Sequence, residues 1–105
     1  MFSPIVVFVM ASSPEEALSI GKTLVEEKLA ACTNIVESIR SFYIWQGNFC
    51  DDNEVLLIIK SCQEVLDRLI HRVKEIHSYD VPEIIALPII GGSEDYVHWM
   101  EDLLT

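Results

Sequence analysis

The chain has 105 residues, which is enough for one domain and too few for two. Half of its residues are hydrophobic and 23% are charged, a composition that excludes an intrinsically disordered chain. Seventeen acidic residues against seven basic ones give a formal net charge of −10, which repels phosphate backbones and disfavours nucleic acid as a partner. The same charge attracts cations, although an acidic surface also serves solubility alone.

The cysteines and the first residues of the chain indicate a reducing compartment. Cys32, Cys50 and Cys62 are odd in number and form no Cys-x-x-Cys pair, so neither a disulfide framework nor a four-thiolate zinc site is expected. Residues 1–10 are apolar but carry no basic leader and no small-residue cleavage site. No apolar run approaches the roughly 18 residues that span a bilayer. We therefore expect a cytoplasmic protein with no membrane partner.

A buried strand and a helix are the first two predicted elements. Ile5–Ala11 (IVVFVMA) is a continuous run of apolar and mostly β-branched residues, typical of a strand buried on both faces. Ser13 and Glu16 then have the spacing of a capping box, with a proline between them at the first helical position. Apolar residues at helical spacing extend the predicted helix over 14–29. Gly21 either weakens this helix or allows it to lie close to a neighbour.

The middle of the chain predicts a long β-hairpin. Cys32–Trp45 is rich in β-branched and aromatic residues, residues 46–48 form a turn, and Phe49–Lys60 returns as the next strand. Both strands are about twice the usual length of 5–6 residues. Part of the hairpin is therefore expected to project beyond the domain.

The remaining residues predict a helix, a fourth strand and a short final helix. Ser61 and Glu64 have the spacing of a second capping box, and the apolar face that follows ends near His77. Val81–Ile90 is again almost entirely apolar and is predicted as a strand. A Gly-Gly pair ends it, and Ser93 is predicted to cap the last helix.

The order βαββαβ with an extra C-terminal helix predicts one α+β domain over residues 1–105. Right-handed crossovers place both long helices on one face of an antiparallel sheet, in the ferredoxin-like arrangement with strand order 4-1-3-2. The fourth strand then lies at an edge, where Pro82 and Pro88 are tolerated.

The face of this sheet without helices is expected to be apolar. Ile5–Met10, Val55–Ile59 and Ile84–Leu87 lack the polar alternation that a solvated sheet face shows. Either a second copy of the chain or the terminal helix must cover this face. Because the terminal helix is short, and because the hairpin edge also needs a neighbour, we favour self-association.

Five segments carry the resemblance to a known family. They are Ala30–Ile35, the pattern Ser41-x-Tyr43-x-Trp45-x-Gly47, Glu54–Lys60, His77–Glu83, and the pair Tyr96-x-x-Trp99. Together they resemble the CutA family of divalent-cation-tolerance proteins, from about residue 5 to residue 103. The resemblance implies a ferredoxin-like homotrimer with its sheets packed inward. It also implies an architectural likeness to the PII signalling proteins, which bind small molecules in clefts between subunits.

The same resemblance implies a role in divalent-metal tolerance, with copper as the metal assigned to some members. Their ligands are a cysteine at the end of the first strand and a His-His pair before the fourth. The corresponding positions here are Ala11 and the pair Ile76-His77, so His77 is the one candidate metal ligand that is retained. As a structural alternative, an imidazole at the end of a helix interacts favourably with the helix dipole.

Several other residues are candidates for a ligand cleft or an interface. These are Cys32, Asn34, Tyr43, Trp45, Lys60, Tyr79, Pro82 and Glu83. Tyrosine and tryptophan suit an interface, whereas Cys32 is interpreted as a buried packing residue. If the strand ends that carry Lys60 and Glu83 approach each other across a subunit boundary, the two residues either form an ion pair or line a cleft.

No nucleophile–base pair, phosphate-binding loop or dinucleotide fingerprint occurs, so the chain is not predicted to be an enzyme. The sequence predicts a homotrimer that binds a divalent cation such as copper, or an unidentified small ligand, at clefts between subunits. The alternative is a PII-like sensor or scaffold without a metal role.

Overall fold

Eight elements follow one another in the computed structural model, which describes residues 1–105. They are β1 (Pro4–Ala11), α1 (Pro14–Glu26), β2 (Cys32–Trp45), β3 (Asn48–Cys62), a one-turn 3₁₀ helix (Gln63–Val65), α2 (Leu66–Ile76), β4 (Ile84–Pro88) and α3 (Glu94–Leu104). The four strands form one antiparallel sheet in the order β2-β3-β1-β4. This order is 4-1-3-2 read from the other edge, so the predicted ferredoxin-like α+β fold is confirmed. The longest helix has 13 residues, and none meets the length and hydropathy that a bilayer-crossing helix requires.

The core lies between the sheet and the two longer helices. Val7 and Val9 alternate along the central strand β1 and are fully buried. They pack in one cluster with Ile20 and Leu24 from α1 and with Leu69 from α2. Side chains alternate along a strand, so every second residue of β1 faces the helices. Apolar residues at helical spacing form a stripe on each helix, and these stripes pack against that face of the sheet.

Helix α1 begins as predicted and ends earlier than predicted. The Ser13 hydroxyl accepts a hydrogen bond from the Glu16 backbone N–H at 3.1 Å, which caps the helix. The helix ends at Glu26, because Lys28 adopts a left-handed φ of 59° and the Leu29 N–H turns back to the Leu24 carbonyl at 2.9 Å. The prediction that the helix continues to residue 29 is therefore wrong.

The second predicted capping box does not form. Strand β3 continues to Cys62, so Ser61 lies in the strand, where its buried hydroxyl donates to the Leu29 carbonyl at 2.7 Å. The Glu64 carboxylate accepts from the Ser3 backbone N–H at 3.1 Å instead of capping a helix. Both side chains satisfy distant backbone groups, which the Ser-x-x-Glu spacing does not reveal.

Strand β4 has five residues, whereas ten were predicted. It pairs only with the Ile5–Val9 part of β1, and Pro82 precedes it in the connecting loop. Pro88 ends the strand at the sheet edge, as predicted, where its missing N–H breaks no ladder. Ser93 occupies the N-cap position of α3, but its side chain makes no capping hydrogen bond.

Strands β2 and β3 form a hairpin and are the longest elements of the molecule, as predicted. Gln46 and Gly47 form a two-residue turn with positive φ at both positions, 51° and 80°, the combination that a type I′ hairpin turn requires. The molecule extends 44 Å along its longest axis against 24 and 22 Å along the others. Exposed apolar side chains, including Phe42, Ile44 and Phe49, lie along its outer half.

The sheet face opposite α1 and α2 is apolar, as predicted. We call it the open face, and its outer strand exposes Ile85 and Leu87 by 52% and 48%. Helix α3 covers part of this face, because Tyr96 lies against Cys32 and Met100 is fully buried. The terminal helix therefore supplies a partial cover, and the β4 side chains remain exposed.

Candidate functional site

A cavity of about 550 Å³ lies along the hairpin, between its strands and the loop that precedes β4. Its walls carry aromatic rings and carboxylates, chiefly Tyr43, Trp45, Glu54, Tyr79, Asp80 and Glu83. No lysine, arginine or histidine lines it. The cavity is therefore suited to a ligand with apolar surface and positive charge.

The hairpin contributes one wall because side chains alternate along β2. Ser41, Tyr43 and Trp45 stand on the same face of the strand and line the cavity. The Tyr43 hydroxyl donates a hydrogen bond to Oδ2 of Asp52 on the partner strand. This bond raises the pKa of Tyr43, because ionisation would place two negative charges side by side. The wall is therefore held by a protonated phenol.

Glu54 lies at the back of the cavity and is only 7% exposed. Its Oε2 accepts a hydrogen bond of 2.8 Å from the Tyr79 hydroxyl. Burial and, after it, this bond to Glu54 raise the pKa of Tyr79, so the phenol remains a donor. Glu54 was not among the cleft residues predicted from the sequence. Its position in the sequence was the available signal. Glu54 directly precedes the continuous apolar run of β3, and a carboxylate next to such a run is expected to be partly buried with it.

Residues 77–83, between α2 and β4, form the loop that borders the cavity, and we call it the cavity loop. His77 joins this loop to the sheet. Its Nε2 lies 2.7 Å from the Met10 carbonyl oxygen, and its Nδ1 accepts from the Tyr79 backbone N–H at 3.0 Å. Because Nδ1 accepts a hydrogen bond, this network assigns the donor role to Nε2, toward the Met10 carbonyl. The side chain has no exposed surface, and both nitrogens are occupied. Metal binding by His77 stays a prediction, and it requires one of these hydrogen bonds to break.

The residues at the other two family ligand positions offer no donor atom. Ala11 is fully buried and pairs with Val55 in the sheet, and Ile76 packs against the core. No group of three or more His, Cys, Asp or Glu side chains is arranged to hold a metal ion. A single chain therefore does not form the copper site that the resemblance implied.

Glu16 ties the cavity loop to the start of α1. Its carboxylate accepts from the backbone N–H groups of Ser12 at 2.9 Å and Ser78 at 2.7 Å. Partial burial acts to raise the pKa of Glu16, but the hydrogen bonds from Ser12 and Ser78 together outweigh burial and lower it from 4.5 to about 2. An ionised Glu16 therefore holds Ser78, and with it the loop that carries Tyr79.

The structure divides the predicted cleft residues into two groups. Tyr43, Trp45, Tyr79 and Glu83 line the cavity together. Pro82 lies in the same loop without lining the cavity.

The second group lies on the open face, away from the cavity. There the Lys60 ammonium group donates to Oδ1 of Asn34, and the Cys32 thiol lies 3.7 Å from the same oxygen. Cys32 is partly exposed in the single chain, and its role as a packing residue stays a prediction.

Lys60 and Glu83 are not an ion pair within one chain. Lys60 is paired with Val6 of β1, whereas Ile84, which follows Glu83, is paired with Val9. Three residues along a strand correspond to about 10 Å. An approach of these two residues across a subunit boundary stays a prediction.

An antiparallel sheet in this strand order, two helices on one face, an added terminal helix and a long hairpin define a ferredoxin-like α+β protein. The family model described as "CutA1 divalent ion tolerance protein" matches residues 5–103. The chain therefore belongs to the CutA family of divalent-cation tolerance proteins, and the resemblance found in the sequence is confirmed.

Individual relatives agree with this assignment. The divalent-cation tolerance protein CutA of Thermus thermophilus is 46% identical over 97 residues, which are 92% of this chain and 94% of the relative. "Protein CutA, chloroplastic" of Arabidopsis thaliana is 48% identical over 98 residues, 93% of this chain, but this chain spans only 54% of that relative's length. The solved structure of CutA1 from Oryza sativa is 45% identical and superposes with a TM-score of 0.95, covering 98% of this chain and 94% of that one.

Proposed function

We propose that this protein acts in divalent-cation tolerance as a homotrimer whose ligand clefts are closed by neighbouring subunits. The observation that carries the proposal is the open face. Ile85 and Leu87 remain half exposed there, and Val36 is 38% exposed. Burying these exposed apolar side chains against another copy of the chain removes them from water and favours association.

The first test is the molar mass of the protein by size-exclusion chromatography with light scattering. We expect three times the chain mass of 11.9 kDa at micromolar concentration. Leu87→Asp introduces a charge on the open face and is expected to reduce the mass. Leu18→Asp, on the exposed outer face of α1, is the matched control and is expected to leave the mass unchanged. A monomeric wild type contradicts the proposal.

Copper is the metal that the family resemblance nominates. Since one chain brings no three ligands together, the proposed site takes further ligands from a neighbouring subunit. Titration calorimetry with copper and zinc on wild type, His77→Ala and the exposed control His98→Ala tests this. We expect weaker binding only for His77→Ala, with circular dichroism confirming that the variant folds. Identical curves for all three proteins remove His77 from the site.

The second candidate function is a PII-like sensor of a small molecule. The cavity favours it, because Tyr43, Trp45 and Tyr79 give aromatic walls of the kind that bind organic ligands. A thermal-shift screen of nucleotides and other metabolites tests this function. The absence of any stabilising class contradicts it.

We also propose that the protein is not an enzyme. The cavity phenols of Tyr43 and Tyr79 both have raised pKa values and donate to carboxylates, which makes them poor nucleophiles and bases at neutral pH. A cytoplasmic location and the lack of a nucleic-acid partner stay predictions. The name of the Arabidopsis relative places that protein in the chloroplast.

A further inference from the structure

Glu54 is a buried carboxylate to which the chain supplies no positive partner. It is 7% exposed and forms no ion pair. Its Oε2 accepts from Tyr79, while its Oε1 accepts no hydrogen bond and is not sealed from the cavity. A buried charge is costly unless a counter-charge accompanies it. A cation bound at the back of the cavity would therefore compensate the charge of Glu54.

The two basic side chains on the hairpin strands, Arg40 and Lys60, are engaged elsewhere. Arg40, on the hairpin, forms two hydrogen bonds to Asp51, Nε to Oδ1 at 3.0 Å and Nη2 to Oδ2 at 2.8 Å. Lys60 is six residues further along β3, about 20 Å away, and donates to Asn34. The counter-charge of Glu54 therefore comes from outside this chain, either from a bound ligand or from a neighbouring subunit of the proposed trimer.

The cavity walls indicate what kind of cation fits. Trp45, Tyr43 and Tyr79 present aromatic rings, whose faces attract cations. Asp80 and Glu83 are exposed at the mouth and form no hydrogen bond or ion pair through their side chains. A divalent metal needs four or more donor atoms at about 2.0–2.6 Å, and no such cluster exists here. Aromatic rings and a buried carboxylate are the groups that bind an ammonium ion on a carbon skeleton.

We propose that the cavity binds a small organic ammonium ion, with its charge beside the Glu54 carboxylate and its carbon substituents against the faces of Trp45 and Tyr43. The volume of about 550 Å³ accommodates a molecule of metabolite size. This inference rests on the cavity being the ligand cleft of the proposed function and names the class of ligand.

The test is titration calorimetry of the wild-type protein, in the assembled state found by light scattering, at low ionic strength. Choline and tetramethylammonium are the probes, and 3,3-dimethylbutan-1-ol is the neutral isostere of choline. We expect choline to bind at least about tenfold more tightly than the alcohol, because only choline carries the charge that Glu54 needs. An equal affinity for both ligands overturns the inference.

Variants locate the site. Glu54→Gln keeps an acceptor for the Tyr79 hydroxyl and removes the charge, and it is expected to weaken choline binding about tenfold without changing binding of the alcohol. Trp45→Leu keeps an apolar wall but removes the aromatic ring, and it is expected to weaken choline binding about threefold. Asp102→Asn removes the same charge from α3, outside the cavity, and is expected to change nothing. If Glu54→Gln does not fold, Glu83→Gln at the mouth replaces it, with an expected loss of about threefold.

The outcomes separate this inference from the proposed function. The ammonium inference alone is overturned if the trimer binds no ammonium probe. It is also overturned if the affinity for choline is the same in the cavity variants as in the wild type. Binding of copper or zinc that depends on Glu54, in the absence of choline binding, also overturns it and supports the metal role. A monomeric wild type in light scattering contradicts the proposed assembly, whatever the titrations show.

Discussion

Glu16→Gln is expected to destabilise the protein at neutral pH and to have little effect in acid. The Glu16 carboxylate accepts from the Ser12 N–H, the Ser12 hydroxyl and the Ser78 N–H at 2.7–2.9 Å. The variant keeps one acceptor oxygen but loses the negative charge that strengthens these bonds. The attachment of the cavity loop to α1 should weaken accordingly.

The magnitude follows from the lowered pKa. A fall from 4.5 to about 2 in the folded protein corresponds to a ceiling of about 3.4 kcal/mol, at about 1.36 kcal/mol per pKa unit. Because the side chain remains 13% exposed and the variant can still accept one hydrogen bond, we expect about 2 kcal/mol. In a domain of this size, that corresponds to a fall of about 8 °C in melting temperature.

The pH dependence gives the sharper test. Since the folded pKa lies below the unfolded value, the carboxylate stabilises the protein fully above pH 4.5 and loses this effect as the pH falls towards 2. The melting temperatures of wild type and Glu16→Gln should therefore converge between these limits. Differential scanning calorimetry at fixed protein concentration measures this, because assembly makes the melting temperature depend on concentration.

Glu15→Gln is the matched control. Glu15 lies in the same first turn of α1, is exposed, and makes no side-chain hydrogen bond. It shares the helix-dipole interaction of Glu16, which contributes about 0.3–1 kcal/mol, but not the link to Ser78. If both variants lose the same stability, or if the Glu16→Gln difference persists at pH 2, the hydrogen-bonded carboxylate is not the cause.

Two further substitutions test contacts that position the helices on the sheet. Gly21→Ala would place a Cβ 2.9 Å from Oγ1 of Thr33, and the overpacking should outweigh the gain in helix propensity, giving a net loss of about 1 kcal/mol in chemical denaturation. Ser61→Ala removes the donor to the buried Leu29 carbonyl and should cost about 1–2 kcal/mol in the same assay.

Each of these substitutions has a control of the same kind. Gly91→Ala adds a Cβ that meets nothing within 4 Å, and Ser19→Ala removes an exposed hydroxyl from α1. Both are expected to change the free energy of unfolding by less than about 0.5 kcal/mol. If Gly21→Ala is as harmless as Gly91→Ala, the helix can move away from β2 and the close approach is not required. If Ser61→Ala matches Ser19→Ala, water replaces the lost donor.

The sequence alone predicted the elements whose apolar pattern can be read from residues close together in the chain. The continuous apolar run of β1 and the aromatic, β-branched composition of β2 predicted both strands, and the bounds Cys32–Trp45 agree with the structure. Strand order followed from the handedness of crossovers, and the apolar open face from the lack of alternation. These features depend on residues close together in the chain, or on chirality that every chain shares.

The cavity required the tertiary structure. Glu54 and Tyr79 are 25 residues apart in sequence and meet only because β3 and the loop after α2 lie side by side. Tyr43, Trp45, Tyr79 and Glu83 were selected from the sequence, but nothing in their spacing separated them from Cys32, Asn34 and Lys60, which the structure places on the open face.

By itself, the sequence determined the family, the order of the elements and an apolar sheet face, since hydrophobic period and backbone chirality are properties of the chain. Only the tertiary structure decided which polar groups distant in sequence meet. Ser61 and Glu64 have the spacing of a helix cap and serve distant backbone groups instead, and His77 uses both nitrogens inside the fold. A polar side chain bonds to whichever group folding brings within about 3 Å, and that neighbour is set by packing rather than by distance along the chain.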